Sequence, residues 1–208
     1  MKILWVAATV AAVALGWRFA SRRRSLPCPV WLRWMVELDN PFAPVCRARA
    51  IVEHLDLAPG MTVLDGGCGP GRVTVPLARA VGPRGEVVAL DLQQGMLDRA
   101  RASAEAAGLA NVRFLRAGLG EGALEEGRFD RALLVMVLGE IPDRERALAE
   151  LFRALRPGGI LSVTELVFDP HFQRRRTLAG LAEAAGFRER VFFGGSLAYT
   201  IHFERPRS

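Results

Sequence analysis

Along this chain, short apolar runs alternate with stretches whose apolar residues recur at helical spacing, and the alternation predicts the elements. Apolar runs near 61–65, 86–91, 112–116, 129–137 and 159–167 read as strands. Residues 94–107 and 143–155 are the clearest intervening helices, and the strand–helix alternation argues for a parallel sheet covered on both faces. After a predicted helix near 176–186, the segments 188–193 and 197–203 flank Gly194-Gly195-Ser196, a hairpin signal. In the second arm Leu197, Tyr199, Ile201 and Phe203 alternate with Ala198, Thr200 and His202, as one buried face requires.

The first fifty residues follow another pattern. Residues 3–17 form an uncharged apolar run; extended to Ala20 as a helix it reaches about 27 Å, just short of a hydrocarbon core of about 30 Å. Arg18 lies inside that extension, where its guanidinium can snorkel to the headgroups. A spanning anchor, a cleaved leader ending near Ala14-Leu15-Gly16 and a helix docked on the membrane surface all use such a run. Arg18 and Arg22 to Arg24 follow at once and resist translocation, which favours an anchor with the rest of the chain on the cytoplasmic side. Next, Trp31, Trp34, Met35 and Leu38 share one face of a short helix that could lie on headgroups, cover an active site or simply pack on the domain. Ile51, Val52 and Leu55 mark one more helix before Pro59-Gly60. The expected division is an anchor and basic segment at 1–24, a helical extension at 25–56 and a main domain at 57–208.

Charge sharpens that division. The chain carries a formal net charge of +6, and its pI of about 10.4 invites a nucleic-acid reading. The whole excess, however, sits in residues 1–50; residues 51–208 hold twenty basic and twenty acidic residues. A neutral domain argues against nucleic acid as a partner. Cys28, Cys46 and Cys68 are odd in number and lack metal-ligand spacing, so no metal site is expected. No residue pattern specifies an oligomeric state.

The candidate chemistry starts at Val63-Leu64-Asp65-Gly66-Gly67-Cys68-Gly69-Pro70-Gly71-Arg72. It reads as a strand, a glycine turn and a helix whose first N–H groups face a ligand. The nicotinamide-type fingerprint would need a glycine where Arg72 stands, and Asp65 would repel a pyrophosphate. An acid there suits a cationic ligand. The block resembles the first motif of class I S-adenosylmethionine-dependent methyltransferases, whose cofactor carries an ammonium and a sulfonium. Glu86-Val87-Val88-Ala89-Leu90-Asp91 with Gly95-Met96-Leu97, the strand from Phe129, and Leu155-Arg156-Pro157-Gly158-Gly159 as the turn into the fifth strand resemble further blocks of the family in order.

The resemblance implies a Rossmann-like, doubly wound seven-stranded α/β sheet, mostly parallel with a C-terminal antiparallel hairpin, here preceded by a transmembrane helix. It implies S-adenosylmethionine as cofactor, with Asp65, Gly66, Gly67, Gly69 and Gly71 at its methionine end, Asp91 at the ribose, and Leu92 and Met96 against adenine. Gly118 stands where relatives commonly place an acid for the adenine amino group, so Glu121 or backbone groups must replace it. For the acceptor side, open α/β sheets place ligands beyond the strand ends. Glu140 and His171 are the catalytic candidates there, with Glu165 and Asp169 nearby; a capping role for Glu140 and loop packing for His171 are the plainer readings. The motifs resemble those of ubiquinone and menaquinone biosynthesis methyltransferases and their broad type 11 relatives. With an anchor, the expected acceptor is a lipophilic or membrane-associated small molecule such as a quinone precursor, a lipid amine or a hydrophobic thiol. The alternatives are a tethered methyltransferase of a soluble small molecule and a non-catalytic cofactor-binding protein.

Overall fold

A computed structural model of the chain describes residues 43–207. The expected anchor at 1–24, Cys28 and the Trp31 and Trp34 helix fall outside the described residues. Among the described residues no helix is long and apolar enough to cross a membrane.

Seven strands form one sheet: β1 (Thr62–Gly66), β2 (Glu86–Asp91), β3 (Val112–Arg116), β4 (Phe129–Val135), β5 (Leu155–Leu166), β6 (Arg188–Gly194) and β7 (Ala198–Glu204). Their order is β3-β2-β1-β4-β5-β7-β6, with β7 antiparallel to both neighbours and the rest parallel. The order reverses between β1 and β4, and a doubly wound sheet opens a crevice for ligands at that point.

Side chains alternate across the sheet. Leu64, Val88, Leu134 and Val163 pack under α4 (Arg144–Ala154) and α5 (Arg175–Ala184). Their neighbours Val63, Val87 and Leu133 pack under α1 (Ala48–His54) and α2 (Thr74–Val81). Burial on both faces is why the strands read as continuous apolar runs. The remaining helix, α3 (Gln94–Ala106), covers β2 and β3 through Leu97 and Ala100. Within the expected extension, Ile51 and Leu55 are fully buried against the sheet, so α1 is part of the core.

Two strand ends differ from the sequence expectation. β5 starts at Leu155 and not at 159: Leu155 pairs with Phe129, the register slips between Phe129 and Arg131, and Gly158 N–H donates to Arg205 O at 2.7 Å. The expected turn is an irregularity inside a longer strand. β4 stops at Val135, because Met136 takes φ +58° while its N–H donates to Thr164 O at 2.8 Å. A left-handed non-glycine residue is uncommon and costs on the order of 1 kcal/mol or more. Here it turns the chain into the 3₁₀ turn Leu138–Glu140, at the C-terminal end of the sheet.

Candidate active site

The glycine loop is fastened to β2. Gly67 and Cys68 donate to Leu90 O at 2.7 and 2.9 Å, and Gly69 donates to Asp91 Oδ2 at 2.9 Å. Asp91 Oδ1 accepts from Gln93 N–H at 2.8 Å, so one carboxylate ties the loop to the start of α3. Each oxygen keeps acceptor capacity for a further donor. Gly67 must be glycine twice over: its φ is +68°, and a Cβ would lie 2.5 Å from Val137 Cγ2. At Gly69, φ +53°, a Cβ would meet nothing within 4 Å, so this side of the loop is open to a ligand. Gly71 lies against Ala100, and Gly66 against Leu134 and Leu119, so both serve close packing.

Two acids give this end of the sheet a negative field. Asp65 is buried and accepts from Thr74 Oγ1 at 2.6 Å. Burial pushes its carboxyl up to about 6, against the pull of the Thr74 hydrogen bond and Arg72. Burial also raises Asp91, against the backbone N–H groups of Gln93, Gly69 and Leu92. Cys68 is driven well above the ordinary thiol range, first by burial and then by these two acids, so it is an inert thiol. Beyond Asp91, Leu92 is 54% exposed, an apolar face an adenine ring would cover, whereas Met96 is buried beneath the surface. Gly118 N–H donates to Glu121 Oε2 at 2.9 Å, which holds that carboxylate against the backbone of Gly118.

The loops after β4 and β5 bring the two catalytic candidates together. His171 Nδ1 lies 3.7 Å from Glu140 Oε1 and 3.9 Å from Asp169 Oδ1. Asp169 Oδ1 accepts from the His171 N–H at 2.7 Å. Gly139 makes the approach possible, since a Cβ there would overlap the His171 carbonyl oxygen. Arg144 pins the turn by donating to Leu138 O at 3.2 Å and Gly139 O at 3.0 Å.

Under this cluster lies a strut that joins Glu165, already singled out near the end of the fifth strand, to Gln173 and Tyr199. Glu165 Oε2 accepts from Gln173 N–H at 3.0 Å, Gln173 Nε2 donates to His171 O at 2.6 Å, and Tyr199 Oη donates to Gln173 O at 2.5 Å. Glu165 is 1% exposed, and burial pushes its carboxyl up to about 8, so it is mostly protonated at neutral pH. Glu165 stood out in the sequence as an acid at the end of the fifth strand and Tyr199 as the chain's only tyrosine; nothing marked Gln173. Among the described residues no group of His, Cys, Asp and Glu is arranged to hold a metal ion.

The open glycine loop, the two acids and exposed Leu92 fit a cofactor with a cationic amino-acid end, a ribose and an aromatic base. Comparison with known proteins agrees. Residues 63–159 match the methyltransferase domain family. The chain is 36% identical over 113 residues to a demethylmenaquinone methyltransferase of Lactococcus lactis, covering 54% of this chain and 44% of that protein. It is 36% identical over 129 residues to nocamycin O-methyltransferase of Saccharothrix syringae, covering 62% and 45%. The chain thus spans less than half the length of these curated relatives. In fold it is similar to an S-adenosylmethionine-dependent methyltransferase from Aquifex aeolicus, at a TM-score of 0.76 and 22% identity over 86% of this chain and 99% of that one. It is also similar to the [4+2]-cyclase SpnF, at a TM-score of 0.69 and 19% identity over 77% and 80%. Residues 63–159 thus match a methyltransferase domain, and the described residues share the fold of a solved S-adenosylmethionine-dependent methyltransferase.

Proposed function

We propose that this domain transfers the methyl group of S-adenosylmethionine to a small lipophilic acceptor, at the cytoplasmic face of a membrane to which the apolar run at 3–17 anchors it. The observation that carries the chemistry is the meeting of Glu140, His171 and Asp169 at the same sheet end as the glycine loop and Asp91. When bound, the cofactor supplies an electrophilic methyl group on a sulfonium. Asp91 would accept from the ribose hydroxyls, the loop backbone and Asp65 would face the methionine end, Leu92 would cover adenine, and Glu121 would take its amino group. Met96 backs this surface from below.

Transfer needs the acceptor aligned and water excluded. A base is required only for an acceptor that arrives protonated. His171 would take that proton, with Glu140 and Asp169 orienting its ring and the Gln173 strut fixing the loop beneath. Support for a lipophilic acceptor comes from the apolar run with its flanking arginines, and from the demethylmenaquinone methyltransferase among the relatives. Nocamycin O-methyltransferase, which covers more of the chain, favours a second reading in which a small molecule other than a quinone is the acceptor and the run is a mere tether.

The test incubates the full chain and radiolabelled cofactor separately with a total lipid extract, a polar metabolite extract and RNA. Label in the lipid extract, lost in His171→Ala while cofactor affinity stays, is the expected result. Label confined to the polar extract overturns the lipophilic acceptor, and label in none points to a non-catalytic cofactor-binding protein.

A further inference from the structure

At the other end of the strands lies a second cluster that the cofactor reading leaves unused. A cavity of about 530 Å³ opens between the end of α1, the start of β4, the turn at 157–159 and the β6–β7 hairpin. Its wall brings together Arg131, Arg156, Arg190, Arg207, His54 and His202, with Asp56 and Asp130 as its acids. Part of that charge is already balanced: Arg156 pairs with Asp130 at 2.5 Å and Arg190 with Glu204 at 3.0 Å. Arg131 donates only to the backbone oxygens of Leu55, Asp56 and Asp130, and Arg207 lies over Gly158. Neither forms an ion pair among the described residues.

Two histidines of this wall carry buried polar atoms, and Ser162, which does not line the cavity, adds a third. His54 Nδ1, His202 Nε2 and Ser162 Oγ have no hydrogen-bond partner among the described residues. Ser162 sits opposite His202 in the β5–β7 pair. The His54 ring stacks on Phe193 at 3.8 Å, and the His202 ring meets Phe193 edge-on at 5.2 Å. Burial, with His54 and Arg131, pushes His202 down to about 4, so it is a neutral imidazole with one N–H to donate. Folded proteins leave few such atoms unmatched, so a cluster of them points to a missing partner.

We propose that this cavity is a second ligand site, for a phosphate group. Two guanidinia without ion-pair partners, set against the one remaining acid Asp56, leave a net positive charge that suits a phosphate anion, and a tetrahedral phosphate has oxygens enough for donors converging from different walls. A carboxylate, planar with two oxygens, meets fewer of them. The site lies at the N-terminal ends of β1 and β4, away from the glycine loop, so phosphate and cofactor can be bound together. The phosphate can belong to a free ion or to a lipid headgroup.

The chain has three histidines, and His171 lies at the other end of the sheet, so imidazole NMR spectra contain their own control. Titrate the full chain in detergent with inorganic phosphate and, separately, with a water-soluble short-chain phosphatidate. The expected result is saturable shifts of the His54 and His202 signals, with half-saturation at about 1 mM or below and no shift of His171. Arg207→Gln, a change at an exposed residue near the chain end, should weaken binding about tenfold or more, as loss of a charge-assisted hydrogen bond does. Asp91→Ala should leave it unchanged, which separates this site from the cofactor reading. Saturation by phosphatidate at a tenth of the phosphate concentration identifies a headgroup; equal concentrations identify the free ion. If neither imidazole shifts at about 10 mM phosphate, or if Arg207→Gln shifts identically, the cavity holds water alone and the proposal is overturned.

Discussion

Replacing Glu165 by glutamine tests whether the strut beneath His171 is held by a neutral acid. Burial raises the Glu165 carboxyl from 4.5 to about 8, with Asp169 adding to the shift and the Gln173 N–H and Arg144 opposing it. A group raised on folding contributes stability that is fully present below its unfolded value and is lost as pH rises through its folded value. Glu165 should therefore cost the native protein about 1.4 kcal/mol per pH unit between about 4.5 and 8, with a ceiling of about 5 kcal/mol. Glutamine keeps the acceptor for Gln173 N–H and removes the ionisation. Urea unfolding of both proteins at each pH from 5 to 9 gives the difference directly, and contributions from Asp65, Asp91 and His202 cancel in it. The glutamine variant should be close to native at pH 5 and gain steadily up to pH 8. Parallel stability curves would refute the assignment of a protonated Glu165.

Gly139→Ala forces a Cβ into the His171 carbonyl; it should destabilise by about 1–3 kcal/mol and lower methyl transfer, while calorimetry finds cofactor affinity kept. Thr74→Val leaves the Asp65 carboxylate without its buried hydrogen bond. It should cost about 1–3 kcal/mol in urea unfolding, most of it above pH 6 where Asp65 is ionised, because Asp65 then titrates still higher than about 6.

The sheet was legible because its strands are buried on both faces, so Val63-Leu64 and Leu133-Leu134 are uninterrupted apolar runs. The hairpin was legible because one face of β7 is apolar and the glycines mark its turn. Illegible features depend on contacts between distant residues. Met136 in a left-handed conformation has no local signature, since the Thr164 carbonyl that holds it lies 28 positions away. Arg156-Pro157-Gly158-Gly159 resembled a plain turn, because the partner that extends β5, Arg205, comes from beyond β7. In the site, the glycine loop and Asp91 were readable from spacing, and the structure joins them through the Gly69 N–H. Met96 shows the limit: its place in a motif suggested a ligand contact, while α3 turns it inward. Glu140 and His171 stood out only as polar residues past strand ends. Their meeting depends on Gly139, whose missing side chain matters only once the two loops touch.

The central claim is that the glycine loop and Asp91 hold S-adenosylmethionine. Isothermal titration of the cofactor into the full chain and into Asp91→Ala tests it most directly, with thermal melts confirming that both are folded. The native protein should bind S-adenosylmethionine and prefer it to NAD, and Asp91→Ala should lose roughly 1.5–3 kcal/mol of that binding, a drop of about tenfold to a hundredfold. Unchanged affinity in Asp91→Ala, or tighter binding of NAD by the native protein, would contradict it.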